Sequence, residues 1–436
     1  MIGIEDIKHV SVIGAGFMGI GIARLALLAG FEKVTINDVS IEALERATMR
    51  VEEYLRAFES EEQFKQYIAK DNDWLAFLGT ADIGKIIHNT SSAGIMAEGI
   101  NADTIINRLV VEPNLEKAVS DADFIIESVT ENYDLKQEIF KNIGLFAPKD
   151  SILATNTSSL RISKIGAYSG RSDKLIGMHF HGEPGLGRLI EVGKSDKSLD
   201  QAMEIGVQIA ERLPCVTGAR FVAQIEKESP GYIGNRFLIV QTLYLSWIFD
   251  QYAEKKIPWE QLEADLGGAV CESNDSIGVD VSYYAMKGFE SELSSDFAPG
   301  KVLTELVQKG NLGKKVGKGF YEYDESGHPK VNESLRKQKT GLIDSAIVGE
   351  EMMATQLNEG CRLLEEGVVN GYRILEKVLL IGNYTPSPFK LGKTNYERWS
   401  NMLEALAEKI GKPYLKPCDL MRSGEFTKMR NENPNY

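Results

Sequence analysis

Several groups of residues in this chain have the types and spacing of reaction chemistry. Gly14-Ala15-Gly16-Phe17-Met18-Gly19 has the GxGxxG pattern. Its first glycine permits a tight turn, its second lets backbone approach a pyrophosphate, and its third lets a helix pack closely on a strand, with the anion at the helix N-terminus. Asp38 stands 22 residues beyond Gly16, where a carboxylate accepts from a ribose 2′-OH and repels a 2′-phosphate, so the pattern favours NAD over NADP. A glycine-rich corner without a ligand is the alternative. His179 is one of five histidines, and Glu191 follows twelve residues later. A carboxylate that reaches one ring nitrogen sets the tautomer and raises the basicity of the other, which then removes a proton from an alcohol. For alcohol oxidation, that base and the dinucleotide must converge on one carbon. The same spacing also fits a core histidine satisfied by backbone.

Two further groups accompany these. Glu127-Ser128-Val129-Thr130-Glu131-Asn132 follows an apolar run, with Lys136 five residues beyond Glu131; a site and a capped helix start with a solvated lysine fit it equally. Asn156-Thr157-Ser158-Ser159 offers short hydroxyl side chains that donate to a substrate oxygen or cap a helix.

The elements that must position these residues are legible. Val10-Ser11-Val12-Ile13 reads as a buried strand running into the glycine loop and a helix from Phe17 to about Leu28, and Lys33 to Asp38 reads as a second strand, which makes a βαβ unit. Ser40 caps the next helix. Strand-like runs recur at 124–127, 152–155, 176–180 and 189–192, with a helical pattern from Leu135 to Phe146. They predict an α/β fold: an N-terminal Rossmann-type doubly wound sheet followed by all-α C-terminal domains. The expected division is 1–228 for the NAD-binding domain, with an insertion at about 50–105, then a helical domain at 229–330 and a second, divergent helical domain at 331–436. In that last segment Met353, Leu357, Cys361, Leu364 and Val368 recur at helical spacing, and the order of elements echoes the preceding domain as an internal repeat.

Composition bounds the partners. The chain has 436 residues with 49 Lys+Arg against 63 Asp+Glu, a net charge of −14, which argues against broad nucleic-acid binding. At 43% hydrophobic and 26% charged it has the make-up of a globular protein, and its length suggests about three domains. No apolar stretch approaches the roughly 20 residues of a membrane span and no basic leader precedes one, so a cytoplasmic location is expected. Cys215, Cys271, Cys361 and Cys418 form no CxxC pair, so neither a metal site nor a disulfide framework is expected.

Taken in order, these motifs resemble the L-3-hydroxyacyl-CoA dehydrogenase family. The resemblance rests on Gly14 to Gly19, Glu127 to Asn132 with Lys136, Asn156-Thr157-Ser158-Ser159-Leu160, Gly177-Met178-His179-Phe180 with Glu191, Ser229-Pro230-Gly231-Tyr232-Ile233-Gly234-Asn235-Arg236 and Gly317-Lys318-Gly319-Phe320-Tyr321, spanning about residues 8–323. It implies NAD-dependent oxidation of a 3-hydroxyacyl-CoA, as in β-oxidation. His179 would be the general base, Glu191 its orienting partner, and Ser158 and Asn235 substrate-side donors. Glu131 and Lys136 match positions lining the nicotinamide and cofactor site. Lys314, Lys315 and Lys318 are candidates for the CoA phosphates, or a solvated loop. The tail from about Val348 to Phe426 resembles the second helical copy of longer family members, implying a homodimer or an internally duplicated pseudo-dimer. Three departures stand out: the family's His-Phe-x-Asn-Pro reads His179-Phe180-His181-Gly182-Glu183-Pro184 here, a Pro-x-Gly-Pro turn is replaced by Cys271 to Ser276, and the segment between Asn37 and Asp121 is long. Gly182 in place of asparagine removes a donor and makes room, which points to a branched, cyclic or carboxylated acyl group. A dehydrogenase of a free hydroxy acid, carnitine- or gulonate-like, and a non-catalytic NAD-binding subunit are the alternative readings.

Overall fold

The computed structural model describes residues 3–70 and 101–430. Two compact units divide the chain, Met1–Tyr232 and Ile233–Tyr436. In the first, short apolar runs form strands because each is buried on both faces: every residue of β1 (His9–Ile13) is buried. Alternate side chains enter different cores, Val10 and Val12 on one face of the sheet and Ile13 on the other, as a period of two requires. Eight strands follow the order β3-β2-β1-β4-β5-β6-β7-β8, with β2 at Lys33–Asn37, β3 at Leu109–Val111, β4 at Phe124–Glu127, β5 at Ile152–Thr155, β6 at Leu175–Phe180, β7 at Leu189–Lys194 and β8 at Phe221–Ile225. All neighbours are parallel except β6 and β7. Helices α1 (Phe17–Leu28) and α2 (Ile41–Ala57) supply Ile22, Leu25, Leu44 and Val51 to one core. Helix α4 (Tyr133–Phe146) supplies Phe140 and Ile143 to the other, and α5 (Asp200–Arg212) adds Ile205 and Ile209 to the first. The doubly wound sheet and the helical second unit agree with the fold class expected from the pattern.

Strand order reverses between β1 and β4, and that switch point opens a crevice at the carboxyl ends of the strands. The glycine loop after β1 and the acidic segment after β4 both lie there. Two strands carry little sequence signal: β3 has three residues, one half-buried and two exposed, and β8 stands beyond the last expected strand.

The expected insertion begins as an extension of α2 and continues into α3 (Glu61–Lys70); residues 71–100 lie outside the described residues. Tyr54, Phe58 and Phe64 from this extension pack with Leu186 and Val216 in an apolar cluster of their own. The insertion therefore braces the loop that follows His179.

In the second unit, α6 (Gly234–Glu254) and α8 (Ser345–Glu365) have 21 residues each. Arg236 of α6 bonds Glu359 of α8, and Tyr244 donates to Glu351, so the two helices run antiparallel and present contact residues eight apart in each. The two helical segments thus share one unit. Where the Pro-x-Gly-Pro turn was missing, Val270–Ile277 forms a helix, α7. Its buried Asp275 accepts from the Phe320 and Tyr321 N–H groups at 2.8 and 2.9 Å and from the Tyr323 hydroxyl at 3.0 Å, anchoring the Gly317 to Tyr321 segment. Among the described residues no helix is long and apolar enough to cross a membrane.

Candidate active site

The glycine loop is shaped as the pattern requires. Gly14 has φ +109°, and a Cβ there would lie 2.6 Å from the Ser128 carbonyl oxygen, so only glycine joins β1 to α1 against β4. A Cβ on Gly19 would stand 1.9 Å from the Gly14 oxygen, which is the close packing expected of the third glycine, whereas a Cβ on Gly16 would meet nothing within 4 Å. Gly16 caps α1 and faces open space, as a residue beside a pyrophosphate should. Asp38 stands at the end of β2, its Oδ2 accepting from the Ala15 N–H and its Oδ1 from the Ser40 N–H, both at 2.9 Å. The carboxylate is thereby held against the loop. Phe17, Val39 and Ile41, large apolar side chains 49%, 93% and 53% exposed, flank the loop and the acid in sequence. Val39 and Ile41 escaped the sequence reading because an isolated exposed apolar residue is unremarkable. These residues fit a dinucleotide.

The segment after β4 is tied down from below. Glu127 is fully buried and pairs with the equally buried Lys136 at 2.6 Å, while its other oxygen accepts from Thr155 at 2.7 Å. Lys136 also donates to the Val129 carbonyl at 3.2 Å and lies 3.4 Å from Glu131. Lys136 is therefore buried and paired rather than solvated, and it clamps the loop that carries Glu131. Glu131 in turn accepts from the Thr157 hydroxyl at 2.6 Å and from the Ser158 and Ser159 N–H groups at 2.9 Å each. Burial pushes its carboxyl upward, but Lys136 and these donors outweigh that and hold it below the usual carboxylate range. The Ser158 hydroxyl makes the longest of these contacts, 3.4 Å. Asn156 ties three strand ends, donating to Ser128 at 3.3 Å and accepting from the Phe180 N–H at 3.0 Å.

His179 and Glu191 are direct cross-strand partners on antiparallel β6 and β7. That register explains their spacing: the chain runs out along β6, turns, and returns. Nδ1 of His179 lies 2.8 Å from Oε2 of Glu191, with the side chains 7% and 0% exposed. His181 brings a third group within 4.8 Å of both, a set able to hold a metal. Ligands of a tetrahedral ion about 2.05 Å away lie about 3.3 Å apart, so the 2.8 Å contact is that of a hydrogen-bonded pair.

The loop between these strands departs from the family pattern in a definite way. Gly182 has φ +83°, a turn at which an asparagine is tolerated less well than glycine. Arg220 then gathers the loop, bonding the carbonyls of Gly187, Pro184 and Pro214. Glu183 turns inward and accepts from the Leu186 N–H at 2.8 Å; burial pushes its carboxyl above the usual range. Nothing in the spacing of charges along the sequence marks Glu183 or Arg220 as anchors of this loop.

In the second unit Asn235 lies on the first turn of α6. Lys315 is paired with Asp280 at 2.6 Å and Lys318 with Glu322 at 2.7 Å, so these two lysines of the expected CoA cluster are engaged within the unit.

Comparison with known proteins agrees with this layout. Residues 9–217 match the model of the 3-hydroxyacyl-CoA dehydrogenase NAD binding domain, and residues 231–323 match that of the 3-hydroxyacyl-CoA dehydrogenase C-terminal domain. The chain belongs to the 3-hydroxyacyl-CoA dehydrogenase family. Its cofactor is NAD. Among curated relatives in this family, a probable 3-hydroxybutyryl-CoA dehydrogenase of Bacillus subtilis is 30% identical over 326 residues, 73% of this chain and 99% of the relative. The mitochondrial hydroxyacyl-coenzyme A dehydrogenase of Sus scrofa is 27% identical over 322 residues, covering 73% of this chain and 91% of its own. The solved structure of 3-hydroxybutyryl-CoA dehydrogenase from Escherichia coli K12 shares the fold at a TM-score of 0.70, with 21% identity over 97% of this chain and 99% of that one. The family models end at Tyr323, and that structural likeness extends the shared fold through the second helical segment.

Proposed function

We propose that this chain oxidises a 3-hydroxyacyl-CoA thioester to the 3-oxoacyl thioester, with His179 as the general base and Glu191 as its orienting partner. The observation that carries the reading is the buried His179–Glu191 pair, opposed in register across β6 and β7 with Nδ1 and Oε2 2.8 Å apart. With Nδ1–H donating to Glu191, Nε2 is the nitrogen that takes the proton from the substrate hydroxyl, and the buried carboxylate stabilises the imidazolium that results. NAD supplies the acceptor for the hydride that leaves the same carbon. Gly14, Gly16, Phe17, Met18, Gly19 and Asp38 would hold the dinucleotide. Glu131, clamped by Lys136, would line its nicotinamide end. Ser158 and Asn235 would donate to the substrate.

The left-handed turn at Gly182, and the loop braced by Arg220 and by Tyr54 of the insertion, support an acyl group bulkier than a straight short chain. The second helical segment, packed on the first, takes the place of a partner's helical domain. The division into 1–228, 229–330 and 331–436 then corresponds to one NAD-binding domain with two helical copies.

The test is a panel of 3-hydroxyacyl-CoA thioesters, straight, branched, cyclic and dicarboxylic, with the matching free acids, followed by NADH absorbance. Turnover of thioesters and not free acids is expected, with a bulky or carboxylated member leading. Equal or better turnover of 3-hydroxybutyryl-CoA would sink the substrate reading; turnover of free acids alone would sink the thioester reading.

A further inference from the structure

His179 is held on more than its Glu191 side. One ring face is covered by Tyr232, with centroids 5.0 Å apart and planes within 16°, and His181 meets the ring edge-on at 5.9 Å. The seat for Tyr232 is built into the sheet. Gly177 and Gly193 are cross-strand partners, two residues along β6 and β7 from His179 and Glu191, and so lie on the same face as the dyad. A Cβ on Gly177 would lie 2.1 Å from the Tyr232 hydroxyl, and a Cβ on Gly193 would lie 3.3 Å from ring atom Cε1. Both strands omit a side chain where this ring rests.

The tyrosine also occupies a costly backbone conformation. Its φ is +53°, a left-handed geometry that a bulky residue adopts only where its surroundings over-determine it. It is 3% exposed, and its hydroxyl has no hydrogen-bond partner among the described residues. Burial, helped by the nearby carboxylates of Glu191, Glu131, Glu228 and Glu127, raises the phenol well above its ordinary range, so the hydroxyl contributes neither a bond nor a charge. The glycine seat clears room for the whole side chain, hydroxyl included, and it is the ring that meets His179.

We propose that Tyr232 is a positioning residue for the base: its ring fixes the plane of the His179 imidazole so that Nε2 faces the substrate hydroxyl. A hydrogen bond at Nδ1 fixes where that atom lies and leaves the ring free to tilt about it; a stacked face removes that freedom. The same face favours the imidazolium that forms as the proton arrives, through attraction of the cation to the ring. The proposal rests on His179 being the base. It adds a third element to the dyad, drawn from the segment that links the sheet to the helical unit.

The test uses the full-length chain with NADH and a 3-oxoacyl-CoA thioester. Tyr232→Leu, which keeps an apolar side chain and loses the ring, is expected to lower kcat at least tenfold while KM for both substrates stays within about threefold. Tyr232→Phe is expected to restore at least half of the wild-type kcat. Tyr232→Met replaces the leucine variant if that one does not fold. Retained kcat in the leucine or methionine variant overturns the proposal, as does a rise in KM alone. A Tyr232→Phe variant as slow as Tyr232→Leu also overturns it, since the hydroxyl would then be the active group. His179→Gln separates the two levels: an inactive His179→Gln beside a normal Tyr232→Leu refutes the positioning role only, while an active His179→Gln refutes the base on which it rests.

Discussion

Glu191→Gln is the sharpest probe of the dyad, because it preserves shape and one hydrogen bond while removing the charge. Nδ1 and Oε2 are 2.8 Å apart, which puts the charge centres of an imidazolium and the carboxylate about 4 Å apart. At an effective dielectric of about 20 their attraction is worth about 4 kcal/mol. Glutamine retains a neutral hydrogen bond worth about 1 kcal/mol and, with its oxygen toward Nδ1–H, retains the tautomer. The remaining loss, about 2–3 kcal/mol, falls on the step at which the ring becomes charged and corresponds to roughly 30- to 150-fold in kcat. The neutral ground state loses little, so KM and NADH affinity should be nearly unchanged. Steady-state oxidation of a 3-hydroxyacyl-CoA, with NADH binding read by fluorescence, gives both quantities. A kcat within threefold of wild type, or a loss confined to NADH affinity, would refute Glu191 as the group that stabilises the protonated base.

The second and third glycines of the loop should separate binding from folding. Gly16→Ala meets no atom within 4 Å, so the variant should fold with an unchanged melting temperature and lose NADH affinity at least tenfold, whereas Gly19→Ala, 1.9 Å from the Gly14 oxygen, should lower the melting temperature itself; calorimetry with and without NADH distinguishes them. In the helical unit Glu350 accepts from Trp399 at 2.9 Å and pairs with Arg398, and the Arg398 bond, foremost, holds its carboxyl down at about 2 against an ordinary value of 4.5. A depressed carboxyl stabilises the fold above its unfolded value and loses that contribution as pH falls through the folded one. The melting-temperature gap between wild type and Glu350→Gln should therefore be constant above pH 4.5 and shrink between pH 4.5 and 2; a gap that widens on acidification would contradict the pairing.

How far the sequence could be read depended on the range over which each residue acts. The glycine loop, Asp38 and the strands around them act locally, and their spacing was sufficient. His179 and Glu191 were visible as residue types, yet twelve residues of separation become a contact only through the antiparallel return of β7. Lys136 illustrates the opposite case. Its place in the first turn of a helix fitted a solvated side chain as well as a site, but the carboxylate of Glu127 is buried at the end of β4 and draws the ammonium out of solvent, since neither charge could be buried alone. Tyr232 stood within a family motif, but nothing there marked a role for its ring, because that role depends on two glycines in distant strands, each of which looks incidental in isolation. Asp275 and Glu183 were likewise silent: what marks them is the backbone N–H groups they accept, and such partners leave no trace in side-chain pattern.

On the proposed reading of two helical copies, the contact between α6 and α8 shows how identity can decay while geometry persists. Arg236 meets Glu359 and Tyr244 meets Glu351, which is the reciprocal pattern of two helices related by a two-fold axis, where the counterpart of each contact is also a contact. In a homodimer both contacts would have to use the same residue pair, because both helices would have one sequence. Fusing the copies in one chain removes that condition. One contact became a fully buried guanidinium whose cost is met by Glu359, by Glu366 at 2.9 Å and by Tyr414 at 3.2 Å; the other became a tyrosine hydroxyl on a carboxylate. The first cannot lose either charged partner singly without stranding the other in a low-dielectric interior, so it resists change, whereas the second involves no buried cation and tolerates drift. Unequal constraint on the two contacts would let sequence similarity between the proposed copies fade while their packing stays in register.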